Sequence, residues 1–241
     1  MNKLELSLVL PVHNQETIIK SVVRKIVQIL EKAKIKYEII LVENGSSDNT
    51  LTVVDNLAKE YKNIRSLNSP KGYGSAILTG LDCSKGKFVS YMPSDGQLDP
   101  NLLLKLFKLI KTGKYDLVKI KRTTRESLIR TFRSKVFNFL SRLLFKIPVS
   151  DINGSPRVFS RKWLPILDLQ YKDSFIDTEM AIKAYLLKWK IKEIPAKTLP
   201  RLGGKSTVNI NTVIEFLRNL IFYRFGSSLK VWRKRKIKTD K

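Results

Sequence analysis

The chain has one cysteine, Cys83, and one histidine, His13, among 241 residues. A single thiol excludes an internal disulfide and cannot anchor a zinc site built on cysteine. The expected setting is a reducing cytosol with Cys83 as a buried structural thiol. Acidic residues are also scarce: 21 Asp and Glu stand against 46 Lys and Arg, a net charge of +25. That imbalance implies a densely negative partner, which leaves nucleic acid, an anionic membrane surface or phosphorylated substrates. No uncharged apolar run reaches about 18 residues, so no segment reads as membrane-spanning and membrane contact is expected to be peripheral. The opening "MNKLELSLVLPVHN" has too short an apolar run for a secretory leader and lacks a small-residue cleavage site, so it reads as a core strand. Internal repeats and low-complexity linkers are missing too.

Apolar residues, at 43 %, are ample for a packed core. Runs rich in Val, Ile, Leu and aromatics at 4–12, 37–43, 64–68, 87–92 and 115–121 predict strands. Between them, helical periods cover 16–33, 48–61, 73–84 and 100–111. This alternation predicts an α/β fold whose parallel sheet is covered on both faces, and ligands in that class sit beyond the carboxyl ends of the strands. Three polar clusters fall at such ends: "PVHNQE", "ENGSSDNT" and "PSDGQLDP". Each alone reads equally as a helix start, with Ser47, Asp48 or Asp99 as N-cap and Pro100 at the first helical position. Three at one rim mark a candidate site.

Beyond residue 122 the alternation stops. A basic helix follows, with Val136, Phe137, Leu140, Leu143, Leu144 and Ile147 at helical spacing and Phe139 and Phe145 widening the stripe. Then come the loop "SDINGSP", a strand "RVFS", a helix in "DSFIDTEMAIKAYLLKW", a strand "KIKEIP" and the loop "RLGGKS". The tail, 207–241, aligns Ile210, Val213, Ile214, Leu217, Leu220 and Ile221 on one helical face and ends in a basic run.

The ordered succession "LVLPVHNQE", "EIILVENGSSDNT", "KGYGSAILTGLDCSKGKFVSYMPSDGQLDP", "DINGSPRVF", "DTEM" and "RLGGKS" resembles the family 2 glycosyltransferases, most closely the branch that includes dolichyl-phosphate mannose synthases. The likeness spans about residues 4–206. It implies a Rossmann-like fold of the GT-A type with a mostly parallel sheet, a nucleotide-sugar donor, Mg2+ or Mn2+, and inversion at the sugar carbon. It also implies one transferase domain over 1–206, with a donor-binding half at 1–121 and an acceptor-binding half at 122–206, followed by a basic amphipathic tail.

At the turn after the fourth strand, Asp95 and Gln97 resemble the family's metal ligands. A departing nucleoside diphosphate concentrates negative charge, and a hard cation held by few protein oxygens neutralises it. Pro93 stands where the family usually has a first Asp, so either metal affinity is expected to fall or water or Asp99 takes over that function; an inactive relative is the further alternative. The resemblance assigns the nucleoside to Pro11, His13, Asn14, Glu43, Asn44 and Ser46, with Glu43 and Asn44 replacing the more usual pair of Asp residues. Asn44 both donates and accepts, so base preference can differ. Lys71, Gly72 and Gly74 are expected to let backbone amides approach the donor.

Arg122, Arg125, Arg130 and Arg133, with Arg201, Lys205 and Ser206, resemble the segments that contact an acceptor phosphate. Arginine suits that role because its planar fork donates two bonds at once. A hydroxyl acceptor needs a general base, for which Asp177 or Glu179 is the candidate; a phosphate monoester, with its second pKa near about 6, needs none. Asp177 reads alternatively as a helix N-cap. The two apolar stripes are suited equally to lying flat in a membrane interface and to packing on their own domain, and Arg218 and Arg224 disfavour a spanning tail at about 2.5 to 3.5 kcal/mol each.

The expectation is an enzyme at the cytoplasmic face of a membrane that loads a sugar onto a polyprenyl phosphate or other lipid-linked acceptor. A homo-oligomer or a membrane partner subunit is compatible with it. A glycolipid or polysaccharide hydroxyl is the alternative acceptor. A nucleic-acid-binding module is the rival from another class, disfavoured because no nucleic-acid motif with interleaved aromatics is present.

Overall fold

A computed structural model describes residues 4–124, 128–200 and 210–236, with the side chains of 128–135 and 210–213 outside the description. The first half alternates strand and helix: β1 (Leu6–Val12), α1 (Ile19–Lys32), β2 (Tyr37–Glu43), α2 (Thr50–Glu60), β3 (Ile64–Asn68), α3 (Tyr73–Asp82), β4 (Phe88–Tyr91), α4 (Asn101–Lys111) and β5 (Leu117–Arg122). There follow α5 (Leu128–Phe145), β6 (Arg157–Ser160), a 3-10 turn leading into α6 (Leu164–Leu167), α7 (Ile176–Leu186), β7 (Ile191–Ala196), α8 (Ile210–Phe225) and α9 (Ser228–Lys236).

All seven strands form one sheet in the order β3-β2-β1-β4-β6-β5-β7. β1 pairs in parallel with β2 and β4, β2 with β3, and β5 with β7. β6 runs antiparallel between β4 and β5 and joins the two halves of the sheet. Every residue of β1 and of β2 is buried, as expected of central strands covered on both faces. On one face α1 buries Ile19, Val22, Val23, Ile26, Val27 and Leu30, a helical stripe that meets residues of α2 and α4. On the other face α3, α6 and α7 pack a second core around Val9, Val89 and Phe159.

A third cluster joins α5, α7, α8 and α9: Phe175, Ile182, Leu220, Tyr223, Leu229 and Trp232 are all buried in it. The helical stripe of α5 is thereby divided. Phe137, Leu140, Leu144 and Phe145 pack into this cluster, whereas Phe139 and Leu143 face outward. Register brings the carboxyl ends of the first two strands level, since Val12 pairs with Glu43, and β4 adjoins β1 with Tyr91 opposite Val9.

Candidate active site

The turns that follow β1 and β2 are laced together. Asn14 adopts a left-handed conformation with φ of 50°. Its amide donates to Ser46 Oγ at 3.0 Å, and its Oδ1 accepts from the Ser47 amide at 2.8 Å. The Gln15 amide donates to Thr50 Oγ1 at 2.7 Å. Glu43, the last residue of β2, accepts the Ser46 amide at 2.5 Å. Burial pushes the Glu43 carboxyl up, but bonds from Ser46 and Gly45 and the nearby His13 prevail and hold it below the usual carboxylate range. Asn44 donates from Nδ2 to Gly72 O at 3.2 Å, while its Oδ1 is buried without a protein partner, as is His13 Nδ1. An unpartnered buried polar atom costs about 1–3 kcal/mol, which a ligand supplying the missing bond recovers.

The glycines before and within α3 serve a packing role that their sequence context does not reveal. A Cβ at Gly72 meets Lys172 O at 2.6 Å, and one at Gly74 meets Tyr171 O at 2.3 Å and Asp173 O at 2.6 Å. The Ser75 amide donates to Lys172 O at 2.9 Å. The start of α3 therefore lies flat against the 171–173 backbone. That backbone is itself held by Glu179, whose Oε2 accepts the amides of Gln170 and Tyr171 at 2.9 and 3.1 Å and whose Oε1 accepts Lys183 Nζ at 2.7 Å.

At the turn after β4, Ser94 Oγ lies 2.5 Å from Pro11 O and ties this turn to the one after β1. Asp95 Oδ1 accepts the Gln97 amide at 3.2 Å across Gly96, whose φ is 74°. Gln97 O accepts the Leu199 amide at 2.8 Å, which fastens the turn to the segment after β7. Asp99 is committed elsewhere: its Oδ1 accepts the amide and Nδ2 of Asn101, both at 2.9 Å, at the start of α4. It is exposed, with that oxygen taken up at the helix start. Among the described residues no group of three or more His, Cys, Asp and Glu could hold a metal ion. The donor set is thus one carboxylate and one carboxamide. Those hard oxygens fit Mg2+ or Mn2+, which keep most of their coordination for water and substrate phosphates.

Below the turn after β4 lies a buried charge network built on β4, β5, β6 and α7. Asp177, on α7, accepts the Tyr91 hydroxyl at 2.9 Å through Oδ1, and Arg157 NH2 lies 3.1 Å from the same oxygen. Arg157 is 1 % exposed, stacks at 4.9 Å over the Tyr91 ring and donates to the carbonyls of Ile152 and Gly154 at 3.3 and 3.1 Å. Burial, then the Asp177 charge, pushes the Tyr73 phenol up, with Asp95 adding to the effect. Arg122 forms a fork with Asp151, from Nε to Oδ2 at 2.8 Å and from NH2 to Oδ1 at 2.9 Å. Burial pushes the Asp151 carboxyl up, but this fork and Lys119 prevail and hold it well below the usual range. Lys119 is buried and donates to the carbonyls of Asp151 and Ile152, with Glu193 at 3.9 Å. Burial, then the charge of Arg157, pushes its ammonium down to about 7.

The geometry separates the two acidic candidates on α7. Asp177 joins the Tyr91 and Arg157 group, whereas Glu179, two residues on and so across the helix, is fully occupied by Lys183 and the 170–171 amides. Glu179 therefore acts by positioning that loop. Arg122, at the end of β5, is held in the Asp151 fork; the side chains of Arg125, Arg130 and Arg133, and Arg201, Lys205 and Ser206, lie outside the described residues. Sequence reasoning missed Arg157, Tyr91 and Tyr73. The available signal was an arginine opening an otherwise apolar strand, "RVFS", which only a buried counter-charge stabilises.

Residues 7–165 match the profile of glycosyl transferase family 2. The chain is 29 % identical over 248 residues to a dolichyl-phosphate beta-glucosyltransferase, ALG5D, of Trichomonas vaginalis, covering 94 % of this chain and 75 % of that one. It is 28 % identical over 208 residues to the glycosyltransferase AglD of Haloferax volcanii, covering 82 % of this chain but only 33 % of that protein. Among solved structures, the glucosyl-3-phosphoglycerate synthase of Mycobacterium tuberculosis with Mn2+ and UDP-glucose superposes with a TM-score of 0.71 at 19 % identity, covering 91 % of this chain and 78 % of that one. That likeness extends the GT-A type fold to this chain.

Proposed function

The chain belongs to glycosyl transferase family 2, and from that membership we propose that it transfers a sugar from a nucleotide-sugar donor to a polyprenyl phosphate at a membrane surface. Residues 1–206 serve as the transferase domain in this reading, divided near 121 into donor and acceptor halves. Asp95 and Gln97 would hold Mg2+ or Mn2+, and a cation there supplies neutralising charge to the departing diphosphate. The buried, unpartnered Asn44 Oδ1 and His13 Nδ1 would take hydrogen bonds from the donor, and Glu43, kept ionised, orders the Gly45–Ser46 turn around it.

The observation that carries the choice of acceptor is the state of Asp177. Its Oδ1 is shared between a buried guanidinium and a phenol, so the carboxylate is bound up in balancing Arg157. Glu179 is turned into its own ion pair. A hydroxyl acceptor needs a base to take its proton, while a phosphate monoester arrives already anionic. The dolichyl-phosphate relative supports the same acceptor class. Arg122, oriented by Asp151, is the described arginine suited to meet the acceptor phosphate.

The test offers nucleotide sugars with short polyprenyl phosphates in one arm and glycolipid alcohols in the other, with Mg2+ or Mn2+ and product detection by mass. Transfer to the phosphate is expected, abolished by chelation and reduced at least about a hundredfold in Asp95→Asn. Transfer confined to the alcohols overturns the reading.

A further inference from the structure

The helices α5 and α8 carry two apolar faces each. One face is spent inside: Phe137 of α5 meets Phe216 of α8 with ring centroids 4.0 Å apart, and Leu220 and Tyr223 are buried against Phe175 and Ile182. The Arg224 Nε bond to Leu144 O at 3.0 Å also ties the pair side by side. The other face points out. Phe139 and Leu143 on α5, and Ile214, Ile221, Phe222 and Phe225 on α8, are each between 54 % and 66 % exposed. Their spacing is helical, i and i+4 on α5 and i, i+7, i+8 and i+11 on α8, so each set forms a row rather than a scatter. A contiguous row of large apolar groups is what soluble surfaces avoid unless something covers it.

Charge identifies what covers it. Over residues 136–147 and 214–236 there are nine Lys and Arg against one acid, Glu215. A second copy of this chain would bring the same excess of positive charge and be repelled. Nucleic acid matches the charge but has no use for exposed Phe, Ile and Leu on a helix face. An anionic bilayer matches both properties. No helix among the described residues is long and apolar enough to cross a membrane. Arg218, exposed and within the α8 row, lies naturally at the headgroup level, where its stem covers apolar surface and its guanidinium reaches phosphate.

We propose that the outward faces of α5 and α8 form a docking surface for an anionic lipid bilayer, with the six apolar side chains entering the headgroup boundary and the surrounding Lys and Arg taking lipid phosphates. This deepens the reading given above and rests on it only for the purpose of docking, which is to meet a lipid-borne acceptor. α8 also links the surface to the site: Asn219 Nδ2 donates to Asp173 Oδ2 at 2.7 Å, within the loop that packs on Gly72 and Gly74.

The test is co-sedimentation of the full chain with vesicles that contain no polyprenyl phosphate, either pure phosphatidylcholine or a mixture with phosphatidylglycerol. Binding to the anionic vesicles is expected, weakened by salt and absent or slight with phosphatidylcholine alone. Phe222→Ser with Phe225→Ser is expected to weaken it at least about tenfold with an unchanged melting temperature, because both side chains are exposed. Phe222→Trp provides a second measurement that keeps the surface apolar: its fluorescence is expected to shift to the blue and to be quenched by brominated lipid. Unchanged binding in the double variant, equal binding to both vesicle types, or an unshifted tryptophan each overturns the proposal. So does a concentration-dependent dimer abolished by the double variant, which would assign the face to a second copy. Turnover of a water-soluble phosphate acceptor without vesicles tests the acceptor reading alone, so the two can fail separately.

Discussion

Arg157 and Asp177 illustrate how a site can be stabilised by its own charges. Neither ion is tolerable in the core alone; together, with Tyr91 and two carbonyls, their charges are balanced, although Arg157 Nε is buried without a protein partner. Arg157→Leu is expected to cost about 3–5 kcal/mol, because it leaves the Asp177 carboxylate buried and unpaired. Adding Asp177→Leu is expected to recover much of that loss, and urea unfolding of the two single variants and the double variant measures the coupling. Lys119 makes a different prediction. Its ammonium titrates near about 7 in the fold and near about 10.4 when unfolded. The unfolded chain therefore binds more protons between those values, and stability rises with pH across that window by at most about 1.4 kcal/mol per unit. Lys119→Met is expected to flatten the rise, as read from urea midpoints between pH 6.5 and 9.5.

At the scale of elements, α3 and the 171–173 loop behave as one unit. Gly74→Ala places a methyl group 2.3 Å from Tyr171 O, and is expected to cost about 1–3 kcal/mol and weaken donor binding by displacing Lys71 and Gly72. Thermal melts and donor calorimetry check both effects. The elements themselves were largely legible: the apolar runs of β1 and β2 and the spacing of Ile19, Val22, Val23 and Ile26 follow from burial on a two-sided sheet. The rim clusters were legible for the same reason, because polar residues at strand ends stand out against apolar strands. Partnership was not. A period of 3.6 marks an apolar stripe without saying what covers it, so α5 reads as one amphipathic face when Phe137 and Phe139 have opposite fates. Nor does a string of letters reveal that Gly74 faces a carbonyl 97 positions away, that Glu179 is spent on Lys183, or that Arg157 lies on Tyr91.

At the scale of the whole molecule, the tail is part of the body. Leu220, Tyr223, Leu229 and Trp232 are buried against Phe175 and Ile182. Each large apolar side chain returned to water costs about 1.5–3 kcal/mol, and four such losses approach the total stability of a typical domain. A chain ending at residue 206 is therefore expected to aggregate or melt at a much lower temperature, which size-exclusion chromatography and circular dichroism would reveal; an unchanged melt would show that the last helices are dispensable.

The reversed strand β6 has a further consequence. Because it is hydrogen-bonded to β4 on one side and β5 on the other, the two parallel parts of the sheet form one continuous surface. Under the proposed reading, the donor and acceptor halves share that framework and are expected to move together. Substrate exchange is then expected to depend on the loops at the strand ends rather than on the framework beneath them.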